Sequence, residues 1–393
     1  MPIIDTDSHV TEPRDTWSAR MSTRRWGEMV PHVVWDPEAG EEFWHVGDQR
    51  LAPVALFTQA GWPERFPSHP RTFAEANPAS WDPKARVRAL DDLGIWAQAM
   101  YPNVGGFGSQ VWRDLDPPEL GYECVRAYND MLLDWADEFP GRFIVIAATP
   151  YWDVPAAVAE VERVAERGAH GVLFTGAPQA HGQPYLGDHR WDPLWATCRD
   201  AGLPVSFHLG SGSLGGSITA DRLAVDGINV TYARQSTELF LDNATQLCDL
   251  LFSGVLARFP GLQFVSVESG VGWVPFLLEA VDYHFVEGDV AKARAEFEEL
   301  PSFYYRRQVH ACYWFEKIAP RKLLEDVGTD RILFETDFPH PTCLEGTKVA
   351  DAVANLDGVG EDARRRILWE NAVELYGLDL DAIESVLPAT LRR

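Results

Sequence analysis

The chain has 393 residues, of which 46% are hydrophobic and 24% charged, with a formal net charge of -25. That balance is globular and excludes a disordered or low-complexity chain, and the negative charge excludes nucleic acid or an anionic membrane surface as a partner through plain repulsion. Five scattered cysteines (Cys124, Cys198, Cys248, Cys312, Cys343) include no C-x-x-C pair, which argues against a disulfide framework or a thiolate zinc site.

The opening MPIIDTDSH has neither a basic n-region nor a long apolar stretch, and no later run approaches bilayer length. The expectation is a soluble, cytoplasmic protein with reduced thiols. Short apolar runs followed by helical periodicity recur along the chain, the pattern of parallel strands linked by helices. They place strands near residues 3–9, 96–103, 143–148, 171–175, 205–209, 263–268, 308–314 and 332–336. Eight such units predict an α/β fold, a (β/α)₈ TIM barrel, in one unit over residues 1–393. Between strands lie helical stretches such as VPAAVAEVERVAERG and APRKLLEDVG, which end in glycine as helices often do.

Residues 10–94 break this rhythm, since an ordinary connection needs a fraction of that length. With Trp17, Trp26, Trp35, Trp44, Trp62 and Trp81, many prolines and little helical periodicity, the segment is predicted to be an irregular cap across the barrel mouth. Its tryptophans would either form an apolar lid or fill the cap's own interior. A second insertion, residues 211–230, is rich in Gly and Ser and reads as a mobile loop.

The first strand contains D-T-D-S-H, in which Asp5, Asp7 and His9 share a face by strand alternation. His208 ends an apolar strand before a glycine-rich turn, and Asp337 follows the eighth strand in ILFETDFPHP. Barrels of this kind carry their chemistry at the C-terminal strand ends. Asp7, His9, His208 and Asp337 are therefore predicted to converge on a metal.

These motifs, D-x-D-x-H, P-V-x-F-H-x-G and T-D-F-P-H, resemble the amidohydrolase-related family, in the branch that includes aminocarboxymuconate semialdehyde decarboxylase and the resorcylate-type decarboxylases. The resemblance runs from Asp5 to about Tyr376 and implies that Asp7, His9, His208 and Asp337 are ligands of a divalent metal, with a homodimer as the usual assembly. One position departs from the pattern. Where relatives carry a histidine after the sixth strand, FVSVESGVGW has Glu268, and the fourth strand, HGVLFTG, lacks the bridging lysine of binuclear hydrolases.

Adding Glu268 and His340 gives a six-donor set of oxygen and nitrogen that suits iron or manganese. The V-E-S-G-x-G-W form further resembles a dinuclear oxygenase subgroup. The preferred expectation is thus a non-haem monooxygenase with two ions (Fe/Fe or Fe/Mn), using O₂ and an electron donor to hydroxylate a small apolar or aromatic molecule. The alternative is a mononuclear Zn- or Mn-dependent hydrolase or non-oxidative decarboxylase. Glu268, His208 and Asp337 are the candidate catalytic groups in either case. Glu268 would instead orient His208 or a metal-bound water if it lies outside the ligand set, and His340 is open to the same reading. Arg306 and Arg307 are candidates for a carboxylate clamp or for structural pairing. His310 reads as structural, and Glu316 as a weaker general base.

Overall fold

The computed structural model describes residues 1–212 and 218–392. Among the described residues eleven strands occur in chain order: β1 (Ile4–Asp5), β2 (His32–Asp36), β3 (Glu41–Val46), β4 (Gln49–Pro53), β5 (Ala97–Met100), β6 (Phe143–Ala148), β7 (Gly171–Phe174), β8 (Val205–His208), β9 (Phe264–Val267), β10 (Val309–Tyr313) and β11 (Ile332–Phe334). Eight of them form a closed parallel barrel in the order β1-β11-β10-β9-β8-β7-β6-β5. Each of the eight lies inside a stretch predicted from the apolar runs. Strands covered on both faces need continuous apolar sequence rather than alternation, as in FIVIAA of β6, where every residue is buried.

Closure places Asp5 opposite Phe334 of β11 and Gln98 of β5. The Asp5 carboxylate accepts from Thr336 N (2.9 Å), Thr336 Oγ1 (2.5 Å) and Gln98 Nε2 (2.6 Å), so it braces the seam where the first and last strands meet. Burial pushes its pKa up to about 7. Residues of one parity, Ile144, Ile146, Leu173, Val265, Val267 and Leu333, pack together as the barrel filling. The other parity, including Val145, Phe174 and Phe207, packs against the surrounding helices. Helix Val154–Glu166 starts where Asp153 accepts from Ala156 N, with Pro155 in the first turn.

Within the cap segment the structure adds regular elements that the sequence pattern does not announce. Strands β2, β3 and β4 form an antiparallel sheet, and helix Pro83–Leu93, capped by Asp82 and ended by Gly94 at φ +73°, leads into β5. Two of the tryptophans, Trp17 and Trp44, fill the cap's interior. Trp17 meets Trp44 at 4.8 Å and Trp112 at 5.3 Å between ring centroids, and both Trp17 and Trp44 are wholly buried. Trp35, by contrast, is 52% exposed on the sheet.

The predicted loop at 211–230 is corrected in part. Residues 213–217 lie outside the described residues, but helix Ala220–Phe252 begins at once after the Thr219 cap and breaks only at Gly227 (φ 72°, ψ 171°). The first half of this helix is largely exposed, so it has no apolar stripe by which periodicity would reveal it. Among the described residues no helix is long and apolar enough to cross a membrane.

Candidate metal centre

The predicted site residues all sit where strands end. Asp7 and His9 follow β1, in a stretch that still bridges its neighbours through Ser8–Phe338 and His9–Tyr101. His208 is the last residue of β8, and Gly210 at φ +81° turns the chain away just beyond it. Glu268 follows β9 and Asp337 follows β11, each in the left-handed region with φ of 57° and 58°. Side chains with a Cβ rarely adopt that conformation, at a cost of about 1–3 kcal/mol each. The strain turns both carboxylates toward one point.

Six residues converge there and every one is buried. His208 Nε2 lies 3.4 Å from Asp7 Oδ1, 3.7 Å from Glu268 Oε2 and 3.2 Å from His9 Nε2. His9 Nε2 lies 3.6 Å from Asp7 Oδ1 and 3.5 Å from Asp337 Oδ1. His340 Nδ1 lies 2.9 Å from Asp337 Oδ1, and its ring stacks on His9 at 3.7 Å.

The outer nitrogens decide what the inner ones are. A carbonyl oxygen only accepts, so His9 Nδ1 donates to Pro102 O (3.2 Å) and His208 Nδ1 to Leu209 O (2.7 Å). In their neutral forms both rings therefore aim Nε2 lone pairs at each other. Two lone pairs at 3.2 Å, surrounded by carboxylate oxygens, repel unless a proton or a metal cation sits among them. Both Asp7 oxygens and Asp337 Oδ1 are buried without a hydrogen-bond partner. Donor atoms of Asp7, His9, His208 and Glu268 lie within 4.8 Å of one another, as do those of His9, Glu268, Asp337 and His340. The donor set fits a divalent cation.

Electrostatics carry the same message. Burial pushes His9 and His340 well below the usual histidine range, and neighbouring imidazoles add to this. Burial also lifts Asp337 well above the carboxylate range, helped by Glu268 and Asp7. Glu268 is pushed up to about 8, chiefly by burial, with His208 opposing and Asp7 adding. Burial is the largest influence on His208 and opposes its charge, but Asp7, Glu268 and the Leu209 carbonyl together outweigh it and the net shift is upward. Without a cation the cluster must hold protons instead.

Several residues stand apart from this centre. Arg306 donates to Asp326 O, and Arg307 to Gln308 and Leu256 O, on a helix that enters the N-terminal end of β10, opposite the mouth. Neither forms a clamp for substrate. His310, near the same end of β10, faces Arg331. Glu316 spends its carboxylate on the amides of Val271 (2.6 Å), Gly272 (2.9 Å) and Trp314 (3.3 Å), which anchors the loop after Glu268 and leaves it no role as a base.

Sequence reasoning missed six residues around the centre. Glu335 follows β11 directly, two residues before Asp337, so its place at a strand end was available as a signal, and its Oε2 accepts from Glu268 N at 2.9 Å. Arg86, wholly buried, donates to Ala79 O, to Gln98 Oε1 (2.8 Å) and to His9 O (2.6 Å), and lies over the Phe338 ring. Asn103 and Glu12 reach the site only through the fold. Phe107, 4.1 Å from His208 and 5.0 Å from His9, and Phe57, 5.7 Å from His340, place aromatic rings beside the centre.

A closed parallel barrel with polar groups gathered at its C-terminal strand ends defines an enzyme scaffold of the amidohydrolase type. The chain belongs to the amidohydrolase family, whose model matches residues 4–378. It is similar to the gamma-resorcylate decarboxylase of Polaromonas sp. strain JS666, 25% identical over 75% of this chain and 87% of that protein. The gamma-resorcylate decarboxylase of Rhodococcus jostii strain RHA1 is 26% identical over 66% of this chain and 78% of its own length. Among solved structures, amidohydrolase map2389c from Mycobacterium avium subsp. paratuberculosis K-10 superposes with a TM-score of 0.72 at 26% identity, covering 95% of this chain and 99% of that one. A dihydroxybenzoic acid decarboxylase from Polaromonas sp. JS666 with bound manganese shares the fold at a TM-score of 0.63 and 20% identity, covering 96% and 97% of the two chains.

Proposed function

We propose that this chain is a divalent-metal-dependent lyase that removes carbon dioxide from a small aromatic acid without oxidation. The observation that carries the metal is the trio of imidazoles and orphaned carboxylate oxygens turned onto one buried point. Similarity to gamma-resorcylate decarboxylases over most of the chain supports the reaction class, against the oxygenase expected from Glu268.

Asp7, His9, His208 and Asp337 would hold the ion, with His340 completing the donor set and Glu268 left beside it as an acid. When bound, the cation supplies a Lewis acid that fixes and polarises substrate oxygens. Glu268, whose burial favours the protonated form and whose Oε2 lies 3.7 Å from His208 Nε2, would hand a proton to the ring carbon. The bond to the carboxyl carbon breaks, its electron pair stays on the ring, and the new C–H bond takes the Glu268 proton, which water then replaces. Phe107 and Phe57 supply apolar surface for the ring and keep water from the carbanionic carbon.

One observation favours a second reading. The donors fall into two overlapping groups of four, and Glu268, with two carboxylate oxygens, is the shared member that could serve two ions. In that case Glu268 would serve both ions, and oxygen chemistry on an apolar substrate would be the reaction. Metal analysis combined with anaerobic turnover of hydroxylated benzoates separates them. One ion per chain with anaerobic release of CO₂ supports the lyase. Two ions including iron, O₂ uptake with a reductant and no CO₂ release transfer the assignment to the oxygenase.

A further inference from the structure

Segment 102–104, just beyond β5, touches two of the three imidazoles at once. Pro102 O accepts from His9 Nδ1, and Asn103 Oδ1 lies 2.8 Å from His340 Nε2. The Asn103 amide nitrogen donates to Val10 O at 3.1 Å, which settles the orientation of the side chain. A flipped amide would set its oxygen against the Val10 carbonyl oxygen. The oxygen therefore faces His340, and Nε2 of that ring must carry the hydrogen. The Nδ1 lone pair is left pointing at Asp337 Oδ1, 2.9 Å away, a repulsive contact that a cation between them makes favourable. With the hydrogen on Nδ1 instead, the ring would donate to Asp337 and offer no lone pair.

The segment is itself pinned from below. Glu12 is wholly buried, and its Oε1 accepts from the amides of Asn103 (2.9 Å) and Val104 (3.0 Å). Burying a carboxylate is costly unless it is hydrogen-bonded, and the amides of Asn103 and Val104 supply those bonds.

We propose that Asn103 is a positioning residue that sets the tautomer of His340 so that Nδ1 faces the centre, with Glu12 holding Asn103 in place. The 102–104 segment then works as a bracket that orients His9 and His340 together. This rests on the metal reading above but not on the reaction.

Long-range ¹H–¹⁵N NMR of histidine-labelled, metal-free wild-type protein, with His340→Gln to assign the ring, reads the tautomer directly. Nε2–H at His340 is the expected result, and Nδ1–H overturns the proposal. Manganese titration calorimetry supplies the second arm. Asn103→Leu, which has no acceptor, should weaken Mn²⁺ binding about 10- to 100-fold, whereas Asn103→Asp, which keeps one, should stay within about threefold of wild type. Equal affinity in the leucine variant overturns the proposal. Wild-type protein that binds no Mn²⁺ sinks the metal reading, while the NMR arm still decides Asn103. Because that arm uses the unmodified chain, a variant that fails to fold does not shelter the idea.

Discussion

The backbone amide of Glu268 donates to the Glu335 carboxylate at 2.9 Å, tying the end of β9 to the end of β11 across β10. Glu268 sits at φ 57°, and this bond is what holds its backbone there against the strain of a left-handed side-chain-bearing residue. Glu335→Gln keeps an acceptor, whereas Glu335→Ala leaves a buried N–H unpaired at a cost of about 1–3 kcal/mol. The alanine variant should bind metal at least about tenfold more weakly, and the glutamine variant nearly as well as wild type. Calorimetry on both checks this, and two variants that behave alike would refute it.

Glu268→Gln removes the proposed proton donor without changing its shape. Turnover should fall by about 10²- to 10⁴-fold with metal content unchanged at one ion. Elemental analysis of the variant is decisive between the two readings, since loss of one of two ions identifies a bridging carboxylate.

Stability of the metal-free protein should depend on pH in a defined direction. Glu268 titrates at about 8 in the fold against an ordinary 4.5. A raised carboxyl pKa contributes stability that is complete below the ordinary value and is lost as pH rises through the folded one. Metal-free protein should therefore lose Tm as pH rises over that interval, relative to the metal-loaded form. The gain in Tm on adding Mn²⁺ should be larger at the upper end than at the lower, and an equal gain at both ends would contradict the burial argument.

Arg86 carries a charge into the core and spends its donors on Ala79 O, Gln98 Oε1 and His9 O. Arg86→Met leaves these acceptors buried and unpaired, at a cost of about 3 kcal/mol or more in unfolding free energy. Urea denaturation measures the loss. A variant within about 0.5 kcal/mol of wild type, as for an ordinary surface change, would show that the bonds are replaceable.

Phe107 presents its ring to His208 at 4.1 Å and lies outside the donor set. Phe107→Ala should raise KM for an aromatic substrate roughly tenfold, with metal content intact. Steady-state kinetics on a hydroxybenzoate series tests this, and an unchanged KM would remove Phe107 from the substrate wall.

The barrel was legible because parallel strands buried on both faces must be written as apolar runs, and each of β1 and β5 through β11 falls within such a run. Asp7, His9, His208, Glu268 and Asp337 were legible because polar residues at the ends of those runs have one place to go. The cap sheet of β2–β4 and the helix from Ala220 were not. One has outer strands, β2 and β4, that are partly to largely exposed and so need no continuous apolar run, and the other lacks a buried stripe.

Sequence by itself thus determined the scaffold and which strand ends bear carboxylate and imidazole, since local pattern and strand periodicity encode both. Only the tertiary structure decided how those groups are oriented. The lone pairs of His9, His208 and His340 are set by oxygens of Pro102, Leu209 and Asn103, and the turn of Glu268 by Glu335. Most of these partners lie far away in sequence. A hydrogen bond depends on distance and angle between atoms, and folding alone brings those atoms together.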